Sequence, residues 1–141
     1  MRKEARKKLL NKTKAKPLSN FDLIRLARKL GVNNFRGVFS RDALPQKPNA
    51  VECGVINLSG TAPGTHWVCY IASKPLDMCV FYNSYGDLKP PRSLYKYFKS
   101  YSKIYFNMRR DQVNYGTAPS LICGHLCLLF FVNMSRLLEN K

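Results

Sequence analysis

Apolar residues first fall at helical spacing just after Leu18, where Leu23, Leu26, Ala27 and Leu30 recur on one face. Ser19 or Asn20 supplies an oxygen to cap the first turn, and Gly31 supplies a residue that can close the last, so this stretch predicts a helix. The run Phe-Arg-Gly-Val-Phe over 35–39 predicts an edge strand, halted by the turn residues of 41–45 and Lys47-Pro48. Three runs rich in β-branched and aromatic residues follow, at 53–58, 66–72 and 78–82, and predict the central sheet. The short link over 73–77, with Pro75, makes the last two of these antiparallel neighbours; 60–64, with Pro63, reads as a loop. Beyond Pro90-Pro91 a helix is expected over 93–101, with Leu94, Tyr97, Phe98 and Tyr101 on one side, then a strand over 104–108. The strongest pattern comes last: Leu126, Cys127, Phe130, Phe131, Met134, Leu137 and Leu138 predict a broad-faced, buried central helix over 123–138. Helices packed against a mainly antiparallel sheet make this an α+β domain.

Charge separates the two ends of the chain. Arg2, Lys3, Arg6, Lys7, Lys8, Lys12, Lys14 and Lys16 stand against a single acid, Glu4, so 1–17 reads as a basic, flexible arm and 18–141 as the domain. With 141 residues the chain suits one core, and a monomer is expected. The excess of 24 Lys and Arg over 8 Asp and Glu, a formal charge of +16, favours polyanions such as DNA as partners. No apolar run has signal-peptide character or bilayer-spanning length, so a soluble, intracellular protein with no membrane partner is expected. The five cysteines are an odd number and are expected as reduced thiols. Cys53, Cys69 and Cys79 lie in apolar strands, where cysteine acts as a small hydrophobe. The only close pair is Cys123 and Cys127, so no metal site is expected.

Cys123 is the cysteine in a reactive setting. It opens the last helix behind the turn-rich run 116–120, where the helix dipole favours thiolate and the Cys123 N–H can receive an oxyanion. Gly124 leaves space beside the sulfur, and selective alkylation of Cys123 at neutral pH is expected. A thiol nucleophile needs a base. His125 lies two residues on along the same helix, does not face Cys123, and reads as a surface or cleft-rim residue. That leaves His66, which begins a strand behind the loop 62–65, with Trp67 on the opposite face. Asn83, ending the neighbouring strand, is the candidate to accept the other imidazole N–H, with Asp77 and Asp87 as alternatives. Cys127, one turn beyond Cys123, is assigned to packing.

Gly64-Thr-His-Trp67, Phe81-Tyr-Asn-Ser-Tyr-Gly86 and Cys123-Gly-His-Leu-Cys127, in that order and with compatible gaps, resemble the blocks of the adenovirus protease (adenain) family. The SUMO and ubiquitin-like protease clan shares the order. The run 35–39 with Asp42-Ala-Leu-Pro45, and Glu52-Cys-Gly-Val-Ile-Asn57, look like the versions carried by Polinton (Maverick) elements and adintoviruses. The likeness spans about 18–136. It implies a papain-like, circularly rearranged cysteine protease with Cys123 as nucleophile, His66 as base and Asn83 where the family usually carries Asp or Glu. It also implies a glutamine oxyanion donor, for which Gln112 has the residue type and Asn114 is the alternative. By the same resemblance the substrates are viral or element-encoded capsid precursors cut during virion maturation, in the host nucleus or the virion. The chemistry then needs no cofactor, though DNA or a peptide can serve as activator. Two other readings stand beside it: a ubiquitin- or SUMO-directed protease, and a proteolytically inactive nucleic-acid-binding protein.

Overall fold

The structure, a computed structural model, describes Glu4, Lys8 and residues 18–59, 66–111 and 122–139. Apart from Glu4 and Lys8, both exposed, the basic arm lies outside the described residues, as do Gln112 and Asn114. The described elements run α1 (Asn20–Lys29), β1 (Phe35–Ser40), β2 (Val51–Asn57), β3 (Trp67–Ser73), β4 (Met78–Tyr82), α2 (Arg92–Tyr97), β5 (Lys103–Phe106), α3 (Cys123–Asn133) and the 3-10 turn η1 (Ser135–Leu138).

The first helix starts where its cap chemistry says it should. Ser19 Oγ accepts the Asp22 N–H at 3.1 Å, and Asp22 returns the bond by accepting the Ser19 N–H at 3.0 Å. This reciprocal pair satisfies two N–H groups that a helix start would leave open. The other end closes at Gly31, whose φ of +68° suits a residue without a side chain.

The strands form one sheet in the order β1-β2-β3-β4-β5. The three central strands pair antiparallel, β3 with β4 as the short 73–77 link requires, while β1 joins β2 and β5 joins β4 in parallel. The parallel edges were not expected. Each follows from a connection that carries the chain back to the starting end of the sheet, over 41–50 in one case and through α2 in the other.

Helices cover both faces. On one, Cys53, Val55, Trp67, Cys69, Ile71 and Tyr82 pack under α1, α3 and η1. On the other, Ile56, Val68, Tyr70, Ala72, Cys79 and Phe81 pack under Leu94, Phe98 and Tyr101. Every residue of β3 is buried, because its alternating side chains enter both cores. The last helix is shorter than its apolar pattern: regular α geometry ends at Asn133 and η1 carries the pattern on to Leu138. In the same way α2 ends at Tyr97, while Phe98 and Tyr101 stay buried beyond it.

One polar cluster is built into the second core. Glu52 is fully buried, and its carboxylate accepts from Tyr70 Oη at 2.5 Å, the Asn49 N–H at 2.7 Å, Tyr97 Oη at 3.0 Å and Arg36 Nη1 at 3.2 Å. These partners come from β1, the 41–50 loop, β3 and α2, so one side chain ties four parts of the fold to β2. Burial, with the Glu52 charge adding to it, pushes the Tyr70 hydroxyl well above its ordinary value.

Candidate active site

His66 lies immediately before β3 and Asn83 immediately after β4, so the antiparallel pairing of these strands brings the two to one end of the sheet. His66 Nε2 is 2.8 Å from Asn83 Oδ1. The same oxygen accepts the Tyr85 N–H at 3.0 Å. A peptide N–H can only donate, so the amide atom facing both groups is the oxygen, and Nε2 must be the protonated ring nitrogen. In the neutral ring the lone pair is then on Nδ1. Burial draws the His66 pKa below its ordinary value, with the Asn83 bond opposing, so the ring is neutral at pH 7. The Tyr85 ring lies against it, with centroids 4.6 Å apart.

The sulfur arrives from the other end of the chain. Cys123 is the first residue of α3, and its Sγ accepts the N–H of Trp67, the residue after His66, at 3.4 Å. One turn on, Cys127 Sγ donates to the Trp67 carbonyl at 3.5 Å. Trp67 is fixed from its side chain as well, since the indole N–H donates to the Leu18 carbonyl at 3.0 Å. The role expected for Gly124 changes. A Cβ there would lie 3.2 Å from both Trp67 Cδ1 and Leu23 Cδ2, so the missing side chain lets α3 close on the sheet rather than clearing a path to the sulfur.

The expectation of a thiolate is corrected. Burial pushes the Cys123 thiol up to about 11, outweighing the lowering effect of the Trp67, Gly124 and Cys123 N–H groups. Both shifts favour the uncharged forms, a thiol at Cys123 and a neutral imidazole at His66. Alkylation by iodoacetamide proceeds through thiolate, so with the base removed in His66→Ala its rate at Cys123 should climb about tenfold per pH unit from pH 7 to 10. Peptide mass spectrometry across that range checks this; a rate already flat at pH 7 would mean a thiol that ionises there without help.

His125 is corrected too: it is 1% exposed and not on a rim, because α3 is buried around most of its first two turns. Asp77 and Asp87 sit in turns with φ of +51° and +50°. Asp77 accepts the Ser102 N–H at 3.1 Å at the end of β4 opposite Asn83, and Asp87 is exposed. Of the three candidates, Asn83 is the one bonded to the imidazole. Gln112 and Asn114, the expected oxyanion donors, lie outside the described residues. Cys53, Cys69 and Cys79 are fully buried, as expected of packing residues, and burial raises all three thiols. Among the described residues no three His, Cys, Asp or Glu side chains gather as a metal site would, and no helix is long and apolar enough to cross a membrane. Two neighbours of the site escaped the sequence reading: Tyr85, which lines the imidazole, and Asn107, which bonds the Asn83 main chain.

No family model matches this chain, and no curated protein matches it. Among solved structures it is similar to the crystal structure of the ASFV pS273R protease, at 17% identity and a TM-score of 0.56. The selenomethionine form of that protease gives 16% and 0.55. Both cover 89% of this chain, which spans 59% and 60% of the two protease chains. At that identity the likeness is one of fold alone: the chain has a mixed α and β, papain-like architecture with helices packed on a five-strand sheet.

Proposed function

We propose that this chain is a cysteine endopeptidase acting by acyl transfer. One observation carries the reading. The Cys123 sulfur is hydrogen-bonded to the peptide N–H that follows His66, and that imidazole is bonded to Asn83, an arrangement that supports Cys123 as nucleophile, His66 as base and Asn83 as orienter.

In this mechanism Cys123 Sγ attacks the scissile carbonyl carbon as its proton passes to His66 Nδ1. The developing oxyanion is received by the Cys123 N–H, with Gln112 as the second donor. His66 then protonates the leaving amine, the C–N bond breaks and a thioester remains. Water, giving its proton to His66, hydrolyses the thioester and restores the thiol. Asn83 keeps Nε2 protonated throughout, so that Nδ1 always faces the reaction. For substrates we favour capsid precursors, on the adenain-like blocks around His66, Asn83 and Cys123. The +16 charge supports DNA as a partner on which enzyme and substrate meet.

A peptide vinyl sulfone tests the reading. It should form an adduct on Cys123 of the folded protein, and Cys123→Ala should abolish that adduct. No adduct, or one indifferent to the substitution, would end the protease reading in favour of nucleic-acid binding alone. Cleavage of a ubiquitin or SUMO fusion without any response to added DNA would move the substrate class instead.

A further inference from the structure

We infer that Asn107 is a positioning residue for this site: one side-chain amide holds both polar groups of the Asn83 main chain and so sets where Asn83 Oδ1 meets His66. The inference rests on the protease reading. The β4–β5 ladder gives out at Phe81 and Phe106, one residue short of Asn107 and two short of Asn83. Past that point Asn107 does what a paired strand would do. Its Oδ1 accepts the Asn83 N–H at 2.9 Å, and its Nδ2 donates to the Asn83 carbonyl at 2.8 Å and to the Arg109 carbonyl at 3.0 Å. This needs an acceptor and a donor on one planar group, which among side chains of this length only asparagine supplies. Aspartate keeps the acceptor and loses the donor.

The surrounding contacts show that the whole turn after β4 rests on the segment after β5. The Asp87 N–H donates to the Asn107 carbonyl at 2.9 Å, the Asp111 N–H to the Ser84 carbonyl at 2.8 Å, and Arg110 Nε to the Tyr85 carbonyl at 3.1 Å. Gly86, at φ +72°, sits so close that a Cβ would lie 2.6 Å from the Arg109 carbonyl oxygen. Tyr82 Oη closes the far side by donating to Asp111 at 2.6 Å. Asn83 itself is 1% exposed, so an N–H left there without its partner is costly. The Asn83 carbonyl keeps the Gly86 N–H at 2.8 Å, but the Asn83 N–H is satisfied only if the turn moves, and a displacement of about 1 Å is enough to lose an oriented catalytic contact.

The test uses the peptide vinyl sulfone and reads its maximal labelling rate and half-saturating concentration separately. Asn107→Ala should lower the maximal rate by about 10–100-fold and leave the half-saturating concentration within about twofold. In an Asn83→Ala background the same change should cost less than about twofold, because its effect runs through Asn83. Asn107→Asp, close in shape, should fall between wild type and alanine, and it decides the matter if the alanine variant fails to fold. Independently of labelling, nitrogen NMR should find His66 protonated at Nε2 in the wild type and a mixture of tautomers in Asn107→Asp. A single Nε2-protonated tautomer in that variant, or an undiminished loss in the Asn83→Ala background, would overturn the inference. Absence of labelling in the wild type would instead overturn the protease reading, with the NMR result still deciding the role of Asn107.

Discussion

His66→Ala should lose about 10,000-fold of its labelling rate toward the peptide vinyl sulfone at pH 7. The size follows from the thiol. With a pKa pushed up to about 11, four units above pH 7, about one Cys123 in 10,000 is ionised without help. A base that takes the proton during attack makes the whole population competent; without it, attack waits for the rare thiolate. The variant should recover about tenfold per pH unit toward pH 11, so the gap to wild type narrows as pH rises. A variant within tenfold of wild type at pH 7 would mean that His66 is not the base. No large change in thermal stability is expected, since the ring is only partly buried at the edge of the site.

Glu52→Ala should be the most damaging single change to stability away from the site. It strands the fully buried Tyr70 phenol, takes an acceptor from Tyr97 and from the Asn49 N–H, removes the anion facing Arg36 and leaves a space where the carboxylate was. Breaking one side of a buried charged network costs about 3–5 kcal/mol. For a domain of this size that lowers the unfolding temperature by roughly 10–20 °C, measurable by circular dichroism. Glu52→Gln keeps the shape and one acceptor and should lose less. A shift of under about 3 °C for the alanine variant would show that the network contributes little net stability.

The local signals in the sequence were dependable. Ser19 and Asp22 cap α1, Gly31 ends it, and the strand around Cys69 is buried on both faces, each fixed by residues a few positions apart. Cys123, His66 and Asn83 could be named as candidates from the sequence because the chain holds only two histidines and one of them shares a helix with the thiol. What stayed hidden depends on partners far along the chain. Glu52 reads as an ordinary polar residue at the start of a strand until positions 36, 49, 70 and 97 are seen around it. Asn107 reads as a turn residue, since the group it serves is 24 positions away. The charge state of Cys123 was misjudged because a helix start is visible in sequence while the depth of burial is not. His125 failed for the same reason, as helical spacing tells which way a side chain points but not what covers it.

The two sulfurs on Trp67 have a mechanical consequence. With one thiol of α3 accepting from its N–H and another donating to its carbonyl, the end of β3 and the first turns of α3 are stitched through a single residue. Thermal breathing between the helix layer and the sheet therefore has to carry His66 and Cys123 along together. Their spacing is then tied to one strand end as well as to the packing of the larger layers.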